Sequence, residues 1–83
     1  MNAAQLYDYA YTQGIPLGYS AARSFASQDL IYLEVLNTNV KAWRDIHLWC
    51  EQQFNRYNWA GGTFAFESSE DAVMFKLLSL IHI

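Results

Sequence analysis

His47, Cys50 and Glu51 are the one grouping in this chain whose types and spacing could do chemistry. Positions i, i+3 and i+4 share a helix face, so the imidazole could join the thiol or carboxylate in holding a metal, or activate the thiol. Closing such a site takes more than the chain supplies. A structural zinc needs four ligands, His82 is the other histidine, and there is no second cysteine. The same spacing suits a half-buried histidine bonded to a backbone carbonyl beside an inert core thiol, and that reading is adopted. A second cluster, Glu67, Glu70 and Asp71, falls at a helix start, where the positive end of the macrodipole accounts for it. Two glycines in a hairpin do not make a phosphate-binding loop. No catalytic residue, metal ligand or cofactor is assigned.

The helix that must carry His47 opens at the capping cluster Asn37-Thr38-Asn39 and is expected to run to about Phe54. Val40, Trp43, His47, Cys50, Phe54 and Tyr57 recur at steps of three and four, with Ile46 widening the stripe. Lys41, Arg44, Asp45, Glu51, Gln52, Asn55 and Arg56 fill the opposite arc. Leu48 lies within that polar arc and Trp49 at its border, which makes them candidates for a partner contact.

Tyr57 to Leu77 is the clearest stretch. Gly61-Gly62 forms a two-residue loop that can adopt the positive φ angles of a primed hairpin turn. Folding there sets Trp59 opposite Phe64 and Tyr57 opposite Phe66 on one face. The other face carries Asn58, Ala65 and Glu67, a polar-to-small set expected nearer water. Ser68 and Ser69 then offer hydroxyls to a helix with Glu70 and Asp71 in its first turn.

Upstream, residues 2 to 13 read as a helix capped by Asn2, ended by Gly14 and kept from resuming by Pro16. A second short helix spans Ser20 to Gln28, capped by Ser20 and anchored by Phe25. Leu30 to Leu36 alternates Ile31, Leu33 and Val35 with Tyr32, Glu34 and Leu36, and reads as a strand covered on both sides, with a helix running on from Ser27 as the competing reading. Tyr7, Tyr9, Tyr11 and Tyr19 crowd the N-terminal region. Tyr7 and Tyr11 join Leu48 and Trp49 as partner-binding candidates, because tyrosine gives contact area at low entropy cost, although phenol rings packed on the core with hydroxyls at the rim are the preferred reading of the cluster.

Eighty-three residues suffice for one modest core. A hydrophobic fraction of 53% with only 16% charged residues excludes a disordered tail. A net charge of −3 and five scattered basic residues argue against nucleic acid as a partner. No run reaches the roughly 20 apolar residues of a membrane span, and the N-terminus lacks the pattern of a secretory signal. The partners left are another protein or a second copy, in a cytoplasm. The order of elements predicts an α+β domain of ferredoxin-like β-α-β-β-α order, with a helical N-terminal arm over 1–29, a core over 30–77 and no final strand. A right-handed crossover is expected to set Ile31–Leu36 parallel to Thr63–Glu67, with Tyr57–Ala60 at an edge and both long helices on one face.

The second half of the chain resembles small uncharacterised proteins of tailed phages and environmental viral sequence. Their pattern is a tryptophan, a short turn, F-x-F, acidic residues and D-A-x-x-F-K-L, met here by Trp59, Gly61, Gly62, Phe64, Phe66, Glu70, Asp71, Ala72, Phe75, Lys76 and Leu77. The resemblance implies a phage origin and a host cytoplasm, and it brings no activity, cofactor or catalytic residue. Such proteins continue with Arg-Trp, whereas this chain has Leu78-Ser79. The last six residues, LSLIHI, are also the translation of CTGTCTCTTATACACATC, a transposon-end sequencing adapter, so 78–83 is expected to be a non-native tail. The functional expectation is a phage accessory protein that binds a partner without catalysis. A structural or assembly component of the particle is the alternative, and a Cys/His-dependent enzyme a remote one.

Overall fold

A computed structural model describes residues 1–36 and 43–82, the side chains of 79–82 excepted. Its elements are helix α1 (Ala3–Gln13), helix α2 (Tyr19–Ser27), strand β1 (Tyr32–Val35), helix α3 (Trp43–Gln53), strand β2 (Tyr57–Ala60), strand β3 (Thr63–Phe66) and helix α4 (Ser69–His82). The domain is therefore mixed helix and sheet, of α+β class. The expected caps Asn37-Thr38-Asn39, with Val40 and Lys41, lie outside the described residues.

Local chemistry sets the helix ends. At α1 the Asn2 side chain accepts from the Gln5 amide while the Gln5 side chain accepts from the Asn2 amide, both at 2.9 Å, a reciprocal capping box. Gly14 closes the helix at φ 70°, with the Ile15 amide donating to the Ala10 carbonyl at 2.8 Å. Helix α2 starts one residue before the expected Ser20 cap. Gly18 holds the N-cap position with no side-chain bond, so the Ser20 assignment is corrected. Its far end repeats the geometry of α1 with Asp29 in the left-handed region, φ 57°, and Leu30 donating to the Phe25 carbonyl. That turn delivers Phe25 and Leu30 into one buried cluster. At α4 the Ser68 hydroxyl accepts from the Asp71 amide at 3.2 Å, as its position predicts.

The sheet has the order β1-β3-β2. In the hairpin Trp59 pairs with Phe64 and Tyr57 with Phe66, the expected register. β2 is an edge strand and β1 lies next to β3, but the expected parallel pairing is wrong: β1 runs antiparallel to β3, Glu34 facing Phe64. The crossover argument constrains the two strands that flank α3 in the chain. Those are β1 and β2, which do run in the same sense because each is antiparallel to β3.

A second correction concerns the face of Ala65. It was expected nearer water, yet Ala65 is 0% exposed and packs with Leu6, Phe25 and Leu30 beneath α1 and α2. Phe64 and Phe66 point the other way, to Ile46, Cys50, Phe54, Ala72, Phe75 and Leu78 of α3, its C-terminal extension and α4. The N-terminal helices are thus one outer layer of a three-layer domain. Thr63, buried on β3, donates to the Pro16 carbonyl at 2.6 Å and ties the α1–α2 linker to the sheet. Leu78, first residue of the suspected tail, is buried in the main core.

Only Gly61 of the turn pair has positive φ, 59°; Gly62 is constrained by space instead, since a Cβ there would lie 3.1 Å from the Leu36 carbonyl oxygen. Alanine at either position should lower stability by about 1–3 kcal/mol, Gly61→Ala through strain and Gly62→Ala through contact with backbone that cannot turn aside. Urea unfolding reads both. An unchanged midpoint for Gly62→Ala would mean that β1 does not close against the turn.

Candidate protein-interaction surface

The sequence grouping at 47–51 does not assemble into a reactive site. Cys50 is fully buried, and burial first, then the Glu51 charge, push its thiol up to about 12, so it is a thiol and no thiolate at neutral pH. Among the described residues no group of three or more His, Cys, Asp or Glu side chains could hold a metal ion. The His47 ring packs in an aromatic cluster. It lies 4.3 Å from Trp59, 5.5 Å from Phe64 and 6.2 Å from Trp43, centroid to centroid. Among the described residues its buried Nδ1 has no hydrogen-bond partner, where a bond to a backbone carbonyl was expected. The carbonyl contact runs the other way, the Tyr57 hydroxyl donating to the His47 backbone oxygen at 3.3 Å. Burial, helped by Cys50 and Glu51, pushes that hydroxyl up to about 12. His47 therefore holds α3 on the hairpin by ring contact.

The four candidate partner-binding residues are placed on opposite sides of the sheet. Leu48 is exposed on α3, whereas Trp49 is half-buried with its ring edge-on to Phe54 at 5.5 Å, so it serves the core in part. Tyr7 and Tyr11 stand one turn apart on α1, in the other layer, and Tyr11 is 81% exposed. The structure adds two neighbours to them. Tyr19 of α2 meets Tyr7 edge to face at 5.7 Å, and the Arg23 guanidinium sits 5.5 Å from the Tyr19 ring centre. The tyrosine crowding was visible in the sequence. Arg23 reaches Tyr19 by the i, i+4 spacing of one helix, whereas the meeting of Tyr7 with Tyr19 depends on how α1 packs on α2.

A second exposed apolar surface lies on α4. On α4, Ala72, Phe75 and Leu78 face the core while Val73, Met74 and Leu77 stay open, Val73 at 55% and Leu77 at 54% exposure. With Ser69 and Glu70 they line a shallow apolar groove. Its signal in the sequence is a helix apolar nearly all round.

A scan against protein-family models, a search of curated proteins and a search of solved structures each find no match to this chain. Among the described residues no helix is long and apolar enough to cross a membrane.

Glu34 shares the sheet face of Phe64 and Trp59, and burial raises its carboxyl above the ordinary 4.5 despite the opposing charge of Lys76. A carboxyl that holds its proton more tightly folded than unfolded contributes stability below 4.5 and loses it as pH rises through the raised value. Glu34→Gln should therefore melt above wild type at neutral pH, with the gap closing below pH 4.5. Thermal unfolding across that range checks it, and a gap independent of pH would contradict the burial argument.

Proposed function

We propose that this chain is a small phage accessory protein that acts in the host cytoplasm by binding a protein partner, without catalysis of its own. The observation that carries the reading is the face formed by Tyr7, Tyr11, Tyr19 and Arg23, exposed on two packed helices. Tyrosine and arginine are the residue types enriched where protein interfaces concentrate their binding energy. Each phenol brings a large ring with few rotors and a hydroxyl that can donate or accept, at small ordering cost. A partner suited to this face has hydrogen-bond acceptors for the phenols and a carboxylate for Arg23. The deeply buried thiol of Cys50 supports the non-catalytic part of the reading.

The finer architecture proposed is a ferredoxin-like order that lacks its final strand. Two features support it: β1 and β2 run in the same sense on either side of β3, and α3 and α4 contribute to one core on one sheet face. The alternative function, a structural or assembly component of the particle, draws support from the open apolar row on α4.

A photo-crosslinking side chain placed at Tyr11, exposed enough to leave the fold intact, tests the proposal in lysate of the host. The expected result is one protein captured repeatedly, with capture falling at least about tenfold in Tyr7→Ala/Tyr19→Ala. Capture that is diffuse, or indifferent to those substitutions in a protein with unchanged circular dichroism, would overturn it.

A further inference from the structure

We infer that the exposed side of α4 is a docking surface for a basic amphipathic helix of another protein, packed antiparallel to α4 with a lysine or arginine against Glu70. α4 lies on the opposite sheet face from α1 and α2, so the inference stands apart from the tyrosine face.

The placement of the side chains points to a helix as occupant. Ala72, Phe75 and Leu78 turn to the core, and the other side of α4 carries the groove lined by Ser69, Glu70, Val73, Met74 and Leu77. Every lining residue belongs to α4, so the groove is a feature of one helix surface. Glu70, Val73, Met74 and Leu77 stand at i, i+3, i+4 and i+7. Four residues at that spacing outline the hole into which a facing helix inserts one side chain. An extended segment gains its affinity from backbone hydrogen bonds, and the surface of a helix offers none. Three corners of the hole are apolar and open, with Met74 at 43% exposure between Val73 and Leu77. The inserted side chain is therefore aliphatic, and the removal of these three from water drives the association.

The fourth corner sets the charge and the direction. Glu70 is exposed, and among the described residues it forms no ion pair. Asp71 follows it in the same first turn. Lys76 lies beside the groove, where its charge acts on Glu34 of β1. A cation on the incoming helix thus meets an unopposed carboxylate, and the net charge of −3 favours its approach. An antiparallel helix brings its last turn beside Glu70. Lysine or arginine is favoured in that turn by the incoming helix's own dipole, so the two requirements coincide.

A second copy does not meet them. Packed parallel and in register, two α4 helices set Glu70 against Glu70. Packed antiparallel about the middle of the groove, they set each Glu70 against the apolar Leu77.

Selection on the immobilised whole chain from a library of displayed helical peptides tests the inference. The library holds one apolar row constant and varies the charge at the flanking positions. The expected result is enrichment of peptides with Lys or Arg in the last turn, which then bind saturably by fluorescence anisotropy. Leu77→Gln, exposed and neutral, should weaken them at least about tenfold with unchanged circular dichroism. Glu70→Lys should weaken them about fivefold and should enrich peptides with Asp or Glu in that turn instead. Tyr7→Ala/Tyr19→Ala should bind them as the wild type does. No enrichment, enrichment without a charge preference, or binding indifferent to Glu70→Lys overturns the inference. A dimer in sedimentation velocity that Leu77→Gln abolishes also overturns it, since the groove would then belong to a second copy.

Discussion

The structure depends on one strand being buried on both faces. Thr63, Phe64, Ala65 and Phe66 are all at or near zero exposure, and every other layer is placed by contact with them. Phe64 and Phe66 meet Phe75 at 4.5 and 5.2 Å, and Phe66 meets Phe54 at 4.9 Å. Each fully buried phenylalanine is worth about 1.5–3 kcal/mol and each ring pair about 0.5–1.5 kcal/mol more. Ala65, on the opposite face, allows Leu6, Phe25 and Leu30 to reach the backbone of the sheet. A larger residue there would hold the N-terminal helices off.

That constraint leaves most side-chain hydrogen bonds among the described residues at caps, edges and connections. The capping box at Asn2, the hydroxyl of Ser68, the bond from Thr63 to Pro16 and the Arg56–Glu67 pair at 3.6 Å all tie connections to elements. Arg56 also donates to the Gln28 carbonyl, linking the start of β2 to the end of α2. Potentially reactive groups sit in the core and are neutralised by it. Cys50 is buried, and His47 is enclosed by rings. The exposed apolar and aromatic residues include a tyrosine face on α1–α2 and an aliphatic row on α4, with Tyr32, Trp43, Leu48 and Trp59 scattered between.

Much of this was legible in the sequence because local rules carry it. Gly14 and Pro16 end a helix by backbone geometry, the Gly61-Gly62 pair sets the register of four aromatic residues, and three-four spacing marks Ile46, Cys50 and Phe54 as one buried stripe. What failed depends on packing at a distance. Asn58, Ala65 and Glu67 read as a solvent face because a small residue looks the same whether it meets water or a close-packed helix. The sense of β1 against β3 was misassigned because the crossover rule was applied to strands that α3 does not connect. Ser20 has the side chain of a cap but lies inside the first turn of α2, whose start is set by Gly18. The Tyr11 and Leu48 candidates were recognised as surface residues, but only the fold reveals that they lie on opposite layers.

The central claim is that β3 is the most protected element and that α1 and α2 cover one of its faces as fully as α3 and α4 cover the other. Amide hydrogen exchange followed residue by residue measures this directly, since exchange from the core reports global unfolding and exchange from edges reports local opening. The account predicts that Phe64, Ala65 and Phe66 exchange slowest, together with Leu6 and Phe25, and that the outward amides of Leu33 and Val35 exchange faster. Fast exchange at Leu6 and Phe25 alongside a protected Phe64 would mean that the N-terminal helices are not part of the cooperative core, and would contradict it.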